Sequence, residues 1–262
     1  MFRHSLTYVI SLLLILLFSE YSFSEETKQE SKKEVKEEQT KEEEEEEEEE
    51  KEEYIEDKVK DFDSFEGFIQ AYQDPETSFL YFSLEENQLS KEFIYFAHVR
   101  DGVVAARRNR GSYLDNGVFK FEKHFDTIRL IRVNTGFSLD ESSALSKSSG
   151  ANISDSVIQV FPINSMNEEE NQFLINVSSL FVSEALTPIK PIPNPNYPPP
   201  DFMWGQLSAE KSRILSTHNY PKNTDVEIEY VFENPPSAEY EEEDASDPRN
   251  ISISLRYSFI EM

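Results

Sequence analysis

Asn219-Tyr220-Pro221-Lys222-Asn223-Thr224-Asp225-Val226-Glu227-Ile228-Glu229-Tyr230-Val231-Phe232 is the stretch whose reading decides the fold. Pro221 and Asn223 mark a turn, because proline presets the backbone for one and asparagine tolerates the conformations it needs. Val226, Ile228, Tyr230 and Phe232 then alternate with Asp225, Glu227, Glu229 and Val231, the two-residue period of a strand with one face buried. The same period returns in Ile251, Ile253, Leu255, Tyr257 and Phe259, set against Ser252, Ser254, Arg256 and Ser258. Two amphipathic strands joined by the acidic loop Glu239 to Asp247 predict antiparallel sheet.

The residues upstream extend that pattern. Gly67–Tyr72 and Phe79–Leu84 flank the turn Asp74-Pro75-Glu76-Thr77 and predict a hairpin. Leu84–Leu89 predicts one helical turn. Phe93–Val99 reads as a buried strand, followed by a turn at Asp101-Gly102 and a further strand over Val103–Arg107. Asn116-Gly117 is a two-residue turn signal ahead of the strand Val118–Glu122. Thr127–Val133, Val157–Ile163 and Phe173–Val177 complete the strands. Short helices are expected at Ser179–Ala185 and Ser208–Ser216, and one within the Ser-rich stretch Ser138–Asp155. Pro188–Pro200 holds seven prolines and must run as an extended crossover. The expected fold is mainly β, with α+β as the alternative. Its antiparallel strands form a meander or sandwich-like arrangement with a few short helices.

Charge divides the chain of 262 residues unevenly. Residues 25–62 hold twenty acids against eight lysines, including nine consecutive glutamates at Glu42–Glu50, and so carry −12 of the net −27. With no apolar face, this tail is expected to be disordered and solvated, a spacer or else a docking or calcium-binding tail. So acidic a chain repels nucleic acid and anionic lipid. Residues 1–24 read as a signal peptide: Arg3 and His4, an apolar core Val9–Phe18, then Ser22-Phe23-Ser24 before the cut. The apolar core is shorter than the ~20 residues of a membrane span. Retention as an N-terminal anchor is the alternative to cleavage. The absence of cysteine fits a bacterial envelope protein, secreted or periplasmic. The expected domains are therefore 1–24, 25–62 and a β-rich 63–262 with its crossover at 188–200.

Candidate chemistry is sparse. The histidines are His4, His98, His124 and His218, and no glutamate follows any of them directly. A His-Glu-x-x-His zinc helix is thus missing, and no catalytic, cofactor or metal residue is assigned. Ser208-Ala209-Glu210-Lys211 has the Ser-x-x-Lys spacing of penicillin-recognising enzymes without their companion elements, and Ser208 as a helix N-cap explains it as well. Arg107, Arg108 and Arg110 form the one notable basic cluster, either a clamp for an acidic partner or a solvated turn. Tyr197, Phe202 and Trp204 border the proline run. They form either a peptide- or sugar-binding surface or a pin that holds the crossover to the sheet.

Several segments in order resemble the non-catalytic N-terminal region of bacterial secreted zinc-dependent metalloproteases. They are Arg110-Gly111 with Val118–Glu122, Arg129–Asn134, Asp155–Ile158, Val177–Phe181, Lys211–Arg213, Tyr220–Thr224 and Ile251–Phe259. Ser178 departs from the pattern, where the family often has an acid, and so does the glutamate tail. The resemblance implies a module that scaffolds or covers a protease catalytic domain, or aids recognition of peptide substrates. Zinc would be held only by that missing catalytic domain. A stand-alone periplasmic binding module for peptide, glycan or divalent cation is the alternative.

Overall fold

The computed structural model describes residues 54–137, 153–167, 171–191, 195–196, 204–235, 246–247 and 249–262. Residues 1–24, the glutamate run, most of the Ser-rich stretch, most of the proline-rich crossover with Tyr197 and Phe202, and most of the acidic loop Glu239 to Asp247 lie outside them. The described residues belong to one compact unit, Glu53–Met262.

The described residues of that unit form eleven antiparallel strands: β1 Asp63–Phe65, β2 Gln70–Gln73, β3 Leu80–Glu85, β4 Glu92–Asp101, β5 Tyr113–His124, β6 Thr127–Arg132, β7 Ser156–Asn167, β8 Gln172–Asn176, β9 Gln206–Tyr220, β10 Asn223–Glu233 and β11 Asn250–Glu261. They form one sheet in the order β1-β2-β3-β8-β7-β6-β5-β4-β11-β10-β9. The sheet bends within β7, which pairs with β6 up to Pro162 and with β8 from Ile163, with a register shift at Ile163/Ser165. Its two halves thereby face each other, as the sandwich-like expectation implies. Phe82 of β3 meets Phe259 of β11 edge-on across the interior, ring centroids 6.1 Å apart.

Alternation explains which side is filled. Val226, Ile228, Tyr230 and Phe232 of β10 and Ile251, Ile253, Leu255, Tyr257 and Phe259 of β11 are all buried in the core, as their period predicts. Leu80, Phe82 and Leu84 from β3 and Phe93, Tyr95 and Ala97 from β4 complete it. The outward side chains of β11 are Ser252, Ser254, Arg256 and Ser258, a polar exterior opposite in pattern to a transmembrane barrel. At the centre, Tyr230 donates its hydroxyl proton to the Phe181 carbonyl at 2.5 Å, and its oxygen lies 2.8 Å from that of Tyr257. Burial pushes the pKa of both phenols up.

The two edge strands meet at a seam. The Phe68 N–H donates to the Tyr220 carbonyl at 2.8 Å. Asn219 donates its amide to the carbonyls of Phe65 (2.7 Å) and Ile69 (2.6 Å). The Thr224 hydroxyl donates to Asn219 Oδ1 at 2.6 Å and accepts from the Ile69 N–H at 3.1 Å. Gly67 permits this approach, since a Cβ there would lie 2.3 Å from Asn219 Oδ1. One side chain thus does what a missing length of strand ladder would do.

Four local expectations are corrected. First, the acidic tail was expected to run to residue 62, yet Ile55, Val59 and Phe62 near its end pack on the sheet. Helix α1 (Ile55–Lys58) sets Ile55 and Val59 against Leu174 on the outside of β8, with Phe62 against Tyr81. Second, Asn116-Gly117 is no turn but lies inside β5, opposite Phe96 and Tyr95 of β4. Gly117 leaves room for the Arg132 guanidinium, whose Nε would lie 3.1 Å from a Cβ there. That guanidinium makes a forked pair with Asp115 at 2.8 and 3.0 Å.

Third, Val103–Arg107 is a turn rather than a strand, with the Arg107 N–H donating to Val104 and that of Arg108 to Val103. Fourth, Ser208–Ser216 is strand, not helix. Residues 209–212 of β9 stand opposite Tyr230 alone, a four-residue bulge. Ser212 fills the gap: its hydroxyl donates to the Ser208 carbonyl at 2.7 Å and accepts from the Val231 N–H at 3.1 Å. The four-residue bridge from Ser212 back to Ser208 has the span of one helical turn inside the strand. The expected turns at Asp74–Thr77, Leu84–Leu89 and Ser179–Ala185 correspond to the β2–β3 hairpin, a 3-10 turn at Glu86–Gln88 and helix α2 (Ser178–Phe181).

Candidate functional site

A concavity opens at the end of the sheet where the seam closes. Its volume is about 250 Å³. Phe68, Phe93 and Phe121 line it from three segments, with Phe93 stacked on Phe121 at 5.4 Å and Phe68 edge-on to Phe93 at 6.2 Å. The β4–β5 register puts Phe93 opposite Phe119, so Phe93 and Phe121 share the inward face. Glu85, Lys91, Glu92 and Glu261 stand around the mouth.

A second, polar lobe of about 420 Å³ adjoins it on the outside of β2 and β3, where Ser64, Glu66, Gln70 and Tyr72 face solvent. Gly67, Glu85 and Gln88 border both lobes. The 3-10 turn between β3 and β4 holds this ridge in place. Gln88 accepts from the Glu85 N–H at 2.9 Å and donates to the Phe68 carbonyl at 2.8 Å, while Asn87 donates to Glu85 at 2.5 Å. Among the described residues Glu66, Glu85, Glu92 and Lys91 make no ion pair, whereas Glu261 lies 3.7 Å from Lys222. No local sequence signal marks this cleft, because its walls come from five separate stretches of chain.

The residues singled out by sequence separate into different places. Arg108 turns inward: its Nε donates to the Ile189 carbonyl at 2.7 Å and its guanidinium sits 5.9 Å from the Trp204 ring. Burial lowers its pKa from the ordinary value. Trp204 packs edge-on against Phe232 of β10 at 5.1 Å. Arg108 and Trp204 therefore tie the crossover region to the sheet. Arg107, on the same loop, takes a left-handed backbone conformation (φ 55°) and is exposed. Arg110 pairs with Asp101 at 2.5 Å on the surface. The three arginines do not converge on one ligand-sized point.

A different polar constellation, not anticipated from sequence, crosses the outer face of four strands. The registers align His98 (β4), Arg256 (β11), Glu227 (β10) and Ser216 (β9) in one row. Glu227 is 4% exposed although it faces outward. Arg100 approaches it at 2.9 Å, Arg256 embraces its other oxygen, and Ser216 donates to it at 3.1 Å. Burial alone would raise the Glu227 pKa. The hydrogen bonds from Arg256 and Ser216 and the charges of Arg100 and Arg256 outweigh it, and the pKa falls below the ordinary carboxylate value.

His218 lies 3.2 Å from the Ser216 hydroxyl. Ser216, not histidine, occupies the middle of this set, and its proton is committed to Glu227. A nucleophilic triad needs the histidine between serine and acid, so this is an ion-pair network and not a hydrolytic centre. Desolvation, then the Arg256 charge, lowers the His98 pKa. His124 packs against Phe125 at the far end of β5. The three histidines stand on separate elements, and among the described residues no three His, Asp or Glu side chains converge as metal ligands. The donor set here does not fit a protease zinc ion.

Comparison with known proteins adds a family. No curated protein and no solved structure matches the chain. Residues 111–262 match the model of a domain of unknown function, DUF5117, over more than half of the sequence, and the chain belongs to that family.

Proposed function

We propose that this chain is an exported, non-catalytic module that accompanies a zinc-dependent metalloprotease, serving it as a scaffold, a cover or a substrate-recognition surface. The observation that carries the reading is the solid interior: Phe, Tyr, Leu and Ile side chains from both halves of the sheet fill it. A core packed in this way is rigid, and it leaves the mouth cleft and outer faces as the surfaces a partner can use. The segments that resemble the metalloprotease N-terminal region support it too. They fall on parts that define this frame: β5, β6, the start of β7, helix α2, the β9 bulge, the β9–β10 turn and β11. Zinc belongs in this reading to the catalytic domain, and no step of hydrolysis is assigned to the present residues. The signal-like residues 1–24 support delivery to the periplasm or the exterior, with partners reached there.

Deleting the segment equivalent to Phe65–Met262 from a full-length protease relative tests the proposal. Loss of secretion or of proteolysis is expected; unchanged secretion and unchanged casein cleavage would refute it. The mouth cleft favours a second reading, a stand-alone periplasmic binding module for a peptide. If purified chain binds peptides while no protease co-purifies from the envelope of the source cells, that second reading replaces the first.

A further inference from the structure

We infer that the two-lobed cleft at the mouth binds an extended basic segment of a polypeptide, with one arginine or lysine side chain entering the aromatic lobe. This rests on the recognition role proposed above and gives it a ligand chemistry. Size argues first. At about 250 Å³ the inner lobe falls below the ~300–1,000 Å³ of small-molecule pockets, but it suits one long side chain. The polar lobe of about 420 Å³ beside it gives the flanking chain somewhere to lie.

Chemistry argues next. Phe68, Phe93 and Phe121 offer ring surface to an alkyl stem, and a cation near an aromatic face is attracted by the ring quadrupole. Glu85 and Glu92 stand at the rim without an ion-pair partner among the described residues, and Glu66 borders the outer lobe in the same condition. Lys91 alone opposes those three acids, since Glu261 already has Lys222 nearby. A guanidinium donates in a planar fork, which suits two carboxylates better than a neutral side chain would. A chain with net charge −27 favours encounter with a cationic segment over an acidic one.

The test is fluorescence anisotropy on the full chain with the fluorescein-labelled peptide Gly-Ser-Leu-Arg-Leu-Ser-Gly. The same peptide with Glu in place of Arg serves as the comparison. The arginine peptide is expected to bind at least about tenfold more tightly, and more weakly as salt rises. The double variant Glu85→Gln/Glu92→Gln retains hydrogen-bond acceptors at both positions and should keep its thermal unfolding while losing about tenfold in affinity. Glu85→Lys/Glu92→Lys should reverse the preference toward the glutamate peptide. Equal binding of the two peptides, or no binding of the arginine peptide at millimolar concentration, overturns the inference. Undiminished binding by the glutamine variant also overturns it, because the acidic tail is then the receptor. Such failures leave the protease-module proposal standing, since secretion and casein cleavage by the deleted relative are measured separately.

Discussion

Replacing Asn219 with alanine should loosen the seam that joins the two edges of the sheet. The substitution removes two donated hydrogen bonds, to the carbonyls of Phe65 and Ile69, and one accepted from Thr224. A net hydrogen bond is worth about 1 kcal/mol, and each partner left unmade in a part-buried setting costs about 1–3 kcal/mol. Water can reach some of these groups, so the expected loss is about 2–4 kcal/mol rather than the full sum. Asn219→Asp should be at least as damaging, because a carboxylate cannot donate and would face two carbonyl oxygens. Urea unfolding followed by the fluorescence of Trp204, the single tryptophan, measures both. With a urea slope of about 1–3 kcal/mol per molar, the midpoint should fall by roughly 1–2 M. Hydrogen exchange at the Phe68 and Ile69 amides should quicken. Variants whose midpoints stay within about 0.2 M of the parent, a difference under roughly 0.5 kcal/mol, would refute the idea that Asn219 holds the edges together.

Ser212→Ala should cost about 1–3 kcal/mol in the same assay, since it orphans the Ser208 carbonyl and the buried Val231 N–H, while Ser212→Thr should recover part of the loss. Glu227→Gln should destabilise at neutral pH by about 1–3 kcal/mol, less than a fully buried pair because Arg100 and Arg256 keep contact with water. The native pKa of Glu227 is depressed, so its stabilising effect is present above the unfolded-state value of 4.5 and is lost as pH falls through the native value. A pH series should therefore show a shallower acid decline for the glutamine variant over that range; identical slopes would exclude the pair as an acid-sensitive element. Trp204→Ala should lower stability by about 2–3 kcal/mol through lost packing on Phe232 and Arg108 and leave anisotropy binding of the arginine peptide unchanged. Weaker peptide binding with unaltered stability would return Trp204 to a recognition role.

Period-2 patterning was legible wherever both faces of a strand have one consistent environment. β10 and β11 show it plainly, because every second residue meets the same core. The pattern misled where a tertiary neighbour overrides local preference. Asn116-Gly117 carries the composition of a tight turn, yet Gly117 is needed inside β5 to admit the side chain of Arg132. Ser208–Ser216 carries a helical bridge only because a four-residue bulge folds back on itself. Ile55 and Val59 are too few to announce a packed segment inside a run of charges, and it takes Leu174 on the outer face of β8 to give them a partner.

The candidate site was less legible than the fold. Arg108 and Trp204 were each noticed, but their meeting depends on a crossover whose path no local rule sets. The cleft gathers residues from Phe68 to Glu261, and the row of His98, Arg256, Glu227 and Ser216 exists only once four registers are known. Long-range pairing of this kind has no period to read.

The position of β4 has a consequence for the boundaries of the family. The recognised residues start at 111, after β4 has ended, yet β4 lies between β5 and β11 and is bonded to both. Cutting the polypeptide at that boundary would strip the neighbour from two long strands at once and expose backbone amides along each. Such raw margins invite sticking between molecules. The unit that folds is thus larger than the unit that sequence comparison detects, and the span Asp63–Asp101, which carries β1 to β4, is an integral part of the architecture.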